Sequence, residues 1–423
     1  MTSGLAGRNG PIRRGRALVT VSVSAIAVLL LSVPVAAINP PRLPPALLES
    51  GYGIKNVAVC LLAVALLALL GPLARRRLPA WILAPALLLG GLYVVAALLA
   101  PYPDRAVRDA VLRVSLVLVA LAVARSDHPS RQIICVTAAA IAAGLAALVL
   151  LEVLGWPLVT RVQARPAVTL LHRNNVAFHL AASLPLILAL VLGRRRPWQA
   201  WAATAAMVLV MSALVATRSR TGWAAGAVAL APILAGGSLT PPLRRTVAVA
   251  VAVALAGLFA LVLPRGALEP LAERVTGAFD SEQAAWFERI AIYRDAVDRV
   301  VEAPLLGEGP GTYVPRHRTM LSGRPVDHPH NDVLAAACDA GLLAGLALAW
   351  LVFAVPVLAL ARMRRPRSVM TLALIGSLVA WAGLGLSNSP LSLAPSAAQF
   401  WLTFGLVARE MAGAGSPEHK EIT

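Results

Sequence analysis

Apolar runs of roughly 20 residues, each long enough to cross the hydrocarbon core of a bilayer, recur along nearly the whole chain. In hydrocarbon every backbone N–H and C=O must be bonded within the protein, which leaves helices and closed barrels as spanning structures. The runs are continuous rather than alternating, so the barrel is excluded. Of the 423 residues 58% are hydrophobic and only 14% charged, whereas a soluble domain is nearer half apolar and about a quarter charged. The sequence therefore predicts an all-α, polytopic transmembrane bundle.

Twelve spans are expected, at about 17–38, 56–74, 80–100, 110–124, 132–155, 175–193, 198–216, 221–239, 246–263, 333–361, 368–386 and 396–412. The first begins like a signal peptide, but its apolar run is too long for one, so it is read as a retained span. The net charge of +18 does not imply nucleic acid, because arginine runs account for much of it and no aromatics are interleaved with them. Those runs, Arg13-Arg14, Arg75–Arg77, Arg194–Arg196, Arg244-Arg245 and Arg364-Arg365, fall on one side of an alternating twelve-span chain. The positive-inside rule makes that side, with both termini, cytoplasmic. Cys60, Cys135 and Cys338 all lie in expected spans and read as small packing residues.

The spans divide the chain into 1–263, an outer loop at 264–332, and 333–423. Within the loop, Trp286, Ile290, Tyr293, Val297 and Val300 recur at helical spacing and predict an amphipathic helix over about 281–303. Asp280 is its expected N-cap. The helix should lie on the membrane or on the bundle.

Chemistry must then sit in loops or at helix ends. Several arginines remain on the outer side, among them Arg161, Arg165, Arg173, Arg218, Arg220, Arg289 and Arg294. Arg218 and Arg220 share the short turn TRSRTGW between two spans. They could snorkel to lipid headgroups, or their guanidinium forks could clamp a phosphate or pyrophosphate. Gly307, Gly309 and Gly311 alternate in PLLGEGPGTY. They read either as a tight turn capped by Gly307 or as backbone brought close to a ligand.

His330 opens the tenth span, and Asn331 and Asp332 are cap or first-turn residues. The positive field of a helix N-terminus disfavours imidazolium. A neutral ring can act as a general base. His328, across Pro329, is expected to point elsewhere. Asp339, about 13 Å further along a helix, faces away from His330 and should find a partner inside the bundle. Arg113, Glu152 and His179 are read as structural or cavity-lining.

Three stretches together resemble the bacterial O-antigen ligase and O-antigen polymerase superfamily: Ser219-Arg220-Thr221-Gly222-Trp223; Arg289 with Ile292, Tyr293 and the glycine turn; and His330-Asn331-x-x-Leu334 running to Asp339-x-Gly341. Asp339 stands where the family usually has Glu. The resemblance implies a GT-C-like bundle with its long, partly helical periplasmic loop between the ninth and tenth spans, in a bacterial inner membrane. It implies a metal- and cofactor-independent, inverting glycosyltransferase. O-antigen would move from undecaprenyl pyrophosphate to a sugar hydroxyl of lipid A-core. His330, Arg220 and Arg289 would be catalytic. Arg218, Arg173, Asn331, Gly307, Gly309 and Gly311 would contact substrate. The alternatives are a polymerase extending O-antigen on the same carrier and, from another class, a flippase for lipid-linked glycan. Two six-span halves related in pattern would favour the flippase, and none is evident.

Overall fold

The structure is a computed structural model, and it describes residues 58–69, 76–126, 131–154, 173–193, 197–217, 219–235, 289–313, 328–362 and 368–413. Among the described residues the regular structure is helical, without β-strands. In chain order the helices are α1 (Ala58–Leu69), α2 (Ala80–Leu98), α3 (Pro103–Arg125), α4 (Arg131–Val153), α5 (Arg173–Leu192), α6 (Pro197–Ala216) and α7 (Arg220–Ala235). There follow α8 (289–302) in the long loop, α9 (Asp332–Ala340), α10 (Leu342–Ala349), α11 (Val355–Arg362), α12 (Val369–Ser387) and α13 (Ala394–Gly413).

Six described helical segments are long and apolar enough to cross a membrane: α2, α4, Asn174–Leu192 of α5, α6, Leu342–Arg362 and α12. The spans expected at 17–38 and 246–263 lie outside the described residues, and the one at 56–74 is described only as the shorter α1. α3, α7 and α13 occupy the places expected for three more. α7 is a 16-residue helix, and the first half of α3 carries Asp104, Arg105, Arg108, Asp109 and Arg113. The single span expected at 333–361 is instead broken. Gly341, at φ 88°, separates α9 from α10, and a π-helical stretch at Trp350–Ala354 precedes Pro356. Proline lacks the N–H that would continue the ladder, and a wider turn accommodates it. At Pro85, inside α2, the carbonyl of Trp81 loses its helical donor, and the indole Nε1–H of Trp350 donates to it at 2.8 Å.

Small residues set the packing. Lipid tails are as apolar as leucine, so helices in a membrane gain little by hiding leucines and much by close approach. Gly222 and Gly226 of α7 lie against Ala177 and Ala181 of α5, a Gly-x-x-x-Gly face meeting an alanine face. Gly376 of α12 lies over the carbonyl of Ala229 in α7 and beside Pro185 of α5. Gly405 of α13 meets the carbonyl of Ala120 in α3.

These contacts fix helix directions. α7 runs parallel to α5, since Gly222 pairs with Ala177 and Gly226 with Ala181. α12 runs antiparallel to α5, since Gly376 meets Pro185 while the Trp381 ring packs edge-on against His179. α13 runs parallel to α5, with Ser396 at His179 and Gln399 at Ser183. The starts of α5, α7 and α13 and the end of α12 therefore share one rim. The opposite rim gathers arginines: the Arg76 N–H donates to the Arg125 carbonyl at 3.0 Å, Arg131 pairs with Glu410 at 2.6 Å, Arg409 donates to the Ser126 carbonyl at 3.0 Å, and Arg362 lies over the Trp81 ring.

Between the rims, His179 is held by Gln399 Oε1 at Nδ1 (2.6 Å) and by the Ser396 hydroxyl at Nε2 (3.2 Å), while Gln399 donates to Ser183. A small cavity beside it is lined by Ile141, Leu145, His179, Ser183 and Gln399. Both structural and cavity-lining descriptions of this histidine thus apply.

A β-carbon at Gly376 would sit 2.1 Å from the Ala229 carbonyl oxygen, and one at Gly383 would meet nothing within 4 Å. Gly376→Ala should therefore destabilise the protein by about 1–3 kcal/mol. Gly383→Ala, on the same helix, should be near neutral; thermal unfolding of the two variants in detergent checks the pair.

Candidate functional site

The turn before α7 is built from its own residues. Ser219, buried, accepts the Gly222 N–H at its hydroxyl (3.3 Å) and meets the Thr221 hydroxyl at 3.4 Å. This satisfies part of the unpaired first turn. Gly222 permits the approach to Ala177, and the Trp223 indole reaches back to the Leu214 carbonyl of α6 at 2.8 Å. With Ser219, Gly222 and Trp223 turned inward, Arg220 is left exposed at the first position of α7. Arg173 begins α5 at the same rim. Arg218 lies outside the described residues.

His330 stands at a corner of the chain. Pro329 restricts the residue before it to extended backbone, and Asn331 is extended again as the N-cap of α9. Between them His330 adopts φ 51°, the sole positive φ outside glycine among the described residues. Such a conformation costs on the order of 1–3 kcal/mol and persists only where its surroundings impose it. Asn331 supplies part of that frame: its Oδ1 accepts the N–H groups of Val333 (2.9 Å) and Leu334 (3.0 Å), and its Nδ2 donates to the Leu386 carbonyl at 3.2 Å. Its expected cap role is met, and both ends of its amide have structural partners. Asp332, buried next to it, accepts the Leu391 N–H at 3.1 Å and lies over Gly385. The expectation for His328 is corrected: its ring packs edge-on against His330, with centroids 4.4 Å apart. The chain bends at His328 and His330, on either side of Pro329, and these alternate residues come together.

α8 approaches this corner from the loop. The Tyr293 hydroxyl lies 3.2 Å from the Leu386 carbonyl and 3.4 Å from that of His330. Burial pushes the Tyr293 hydroxyl pKa up, and the charge of Arg289, one turn earlier, pulls it partly back. Arg289 thus acts on a group that touches the His330 backbone. The predicted helix is present over 289–302, while Asp280 and Trp286 lie outside the described residues. Its buried face differs from the predicted stripe: Ile292, Ala296 and Arg299 are buried and Val297 is 47% exposed. The face is chosen by what covers it. Ile292 and Ala296 pack with Tyr313 and Cys338, and Arg299 is buried by ion pairs to Asp295 (2.9 Å) and Glu308 (3.1 Å).

The three glycines serve packing within the protein rather than forming an open cradle. Gly307, Gly309 and Gly311 all have positive φ. Gly307 lies against the backbone of 338–340, Gly309 against Ala100, and Gly311 against Asp109. The N–H groups of Glu308 and Gly309 donate to the carbonyls of Cys338 (2.8 Å) and Asp339 (3.0 Å), and reciprocally Gly341 lies against Leu305. Gly307 closes a turn just beyond α8, its N–H donating to the Ala303 carbonyl at 2.9 Å, while the helix itself ends at 302. The partner expected for Asp339 is Arg113, at 2.9 Å. Arg113 also pairs with Asp109 at 3.0 Å, donates to the Tyr93 hydroxyl and stacks over that ring.

The sequence-predicted residues thus fall into two groups. His330 and Asn331 are joined through Tyr293 to the helix of Arg289, and Arg220 and Arg173 begin helices at the same rim. Tyr293 and His328 were not among the candidates. The signals for Tyr293 were its place one turn after Arg289 and its part in the second resembling stretch; for His328 it was the intervening proline.

The family model described as O-antigen ligase matches residues 205–349, a stretch that contains Arg220, Arg289, the glycine turn, His330 and Gly341. The resemblance read from the three motifs is borne out there. Comparison with curated proteins finds no match. Over that stretch the chain is similar to O-antigen ligases, and its six long apolar helices suit a multi-pass membrane protein.

Removing one member of a buried ion pair leaves the other uncompensated. Asp339→Ala should cost on the order of 3 kcal/mol, because Arg113, held among Tyr93, Asp109 and Asp339, would lose its most enclosed carboxylate. The drop in unfolding midpoint of the purified protein measures it.

Proposed function

For a chain similar to O-antigen ligases over residues 205–349, we propose a glycosyltransferase that moves O-antigen glycan from a polyisoprenyl pyrophosphate, undecaprenyl pyrophosphate, to a sugar hydroxyl of lipid A-core. The rim that holds His330 faces the periplasm of an inner membrane, and the arginine-rich rim faces the cytoplasm with both termini. A donor in the outer leaflet reaches this rim from the side and the acceptor reaches it from above.

The chemistry is direct displacement. His330 accepts the proton of the acceptor hydroxyl as that oxygen attacks the anomeric carbon. The new carbon–oxygen bond forms on the face opposite the breaking bond to the pyrophosphate oxygen, so the centre inverts. The leaving pyrophosphate takes the electron pair of the broken bond, and the Arg220 and Arg289 guanidinium groups bind it and stabilise its growing charge. Arg173 and Arg218 extend the positive surface toward the donor. The proton on His330 passes to solvent after transfer.

The observation that carries this reading is the strained backbone at His330. A histidine in the left-handed region, framed by a cap, a tyrosine and a second imidazole, is costly to maintain without a use. The same frame would serve an O-antigen polymerase, whose acceptor differs. Purified protein supplied with carrier-linked glycan and lipid A-core distinguishes them; if only lengthened carrier-linked glycan forms, the ligase assignment fails.

Two substitutions test the roles. His330→Ala should keep the unfolding midpoint and lower transfer by about 10²–10⁴-fold, the usual worth of a general base. Arg220→Lys should lower it about tenfold or more, because a point charge does not reproduce a planar fork; the checks are initial rates with saturating acceptor. Near-normal transfer by His330→Ala would remove the proposed base.

A further inference from the structure

Two side chains on different helices converge on a single carbonyl beside His330. Leu386 is the penultimate residue of α12, where the last carbonyls have no donor from their own helix. The Leu386 carbonyl receives the Tyr293 hydroxyl at 3.2 Å from α8 and the Asn331 Nδ2 at 3.2 Å from the start of α9. The Tyr293 oxygen is also 3.4 Å from the carbonyl of His330 itself. A left-handed residue has its peptide planes turned away from the usual directions, so its ring direction depends on how those planes are held. Here the plane after His330 is held on one side by Tyr293 and on the other by the Asn331 cap.

We propose that Tyr293 is a positioning residue for His330: through its hydroxyl, shared between the Leu386 and His330 carbonyls, it aims the imidazole at the acceptor hydroxyl. This rests on the proposed role of His330 as proton acceptor. Tyr293 itself touches neither substrate. It also links the two halves of the site, since Arg289 lies one turn before it on α8. A misaimed base lowers the rate of the chemical step and leaves donor binding alone.

The test is steady-state transfer by Tyr293→Phe, with donor-linked glycan and lipid A-core varied in turn. The expected result is a fall in kcat of about tenfold or more, a donor KM changed less than about twofold, and a pH profile of unaltered shape, because the same base still acts. A rise in donor KM at unchanged kcat would make Tyr293 a pyrophosphate ligand and overturn the proposal. So would wild-type kinetics. Should Tyr293→Phe fail to fold, Asn331→Asp tests the same tie, since it keeps the cap acceptor and loses the Nδ2 donor to Leu386. A lowered kcat at constant donor KM is expected there too, and unchanged kcat overturns the proposal. His330→Ala measured alongside separates the two levels: if it remains active the base assignment has failed, and if it is inactive while Tyr293→Phe is normal only the positioning role has.

Discussion

The Leu386 carbonyl, left without a donor by its own helix, ties together the rim that holds His330. Every helix that ends in or near a membrane leaves carbonyls without donors, and in a low-dielectric setting each must find one. At the end of α12 the donors come from Tyr293 of the loop helix and Asn331 at the start of α9. One structural debt therefore joins the bundle, the long loop and the segment that bears His330. It also sets the field there. The start of α9 brings partial positive charge and the end of α12 partial negative charge, so the imidazole sits between opposed helix ends rather than under the α9 field alone.

That tie works only because the helices approach closely enough to share a rim. Glycines at 222, 226, 376 and 405 put backbone against backbone or alanine, and the resulting directions bring the starts of α5, α7 and α13 to the end of α12. The crossing of Gly307 with 338–340 and of Gly341 with Leu305 does the same for the loop. The glycine turn is a joint between two backbones. Arg299 with Asp295 and Glu308, and Arg113 with Asp109 and Asp339, secure its two sides. Buried pairs of this kind favour one register over others more than they add stability.

Much of this was legible along the chain. The helical class followed from run length, and the Asn331 cap from its place before an apolar run. The need of Asp339 for a partner followed from its burial, though Arg113 could not be named. The face of α8 was misread because Arg299 counts as polar in any stripe and is buried by its ion pairs, while Val297 counts as apolar and is exposed. The span expected at 333–361 was misread because Gly341 looks tolerable in an apolar helix until Leu305 is found against it. His328 was set aside because spacing alone does not show how the chain bends on either side of Pro329.

The sequence by itself determined that the described chain is helical and rich in membrane-length apolar runs, and which residues could cap, since these depend on neighbours within a turn or two. Only the tertiary structure decided that Tyr293, Asn331 and Leu386 meet beside His330, and that three glycines are joints rather than a cradle. Those outcomes rest on contacts between residues tens of positions apart, and no local preference encodes which helix end will supply the missing donor.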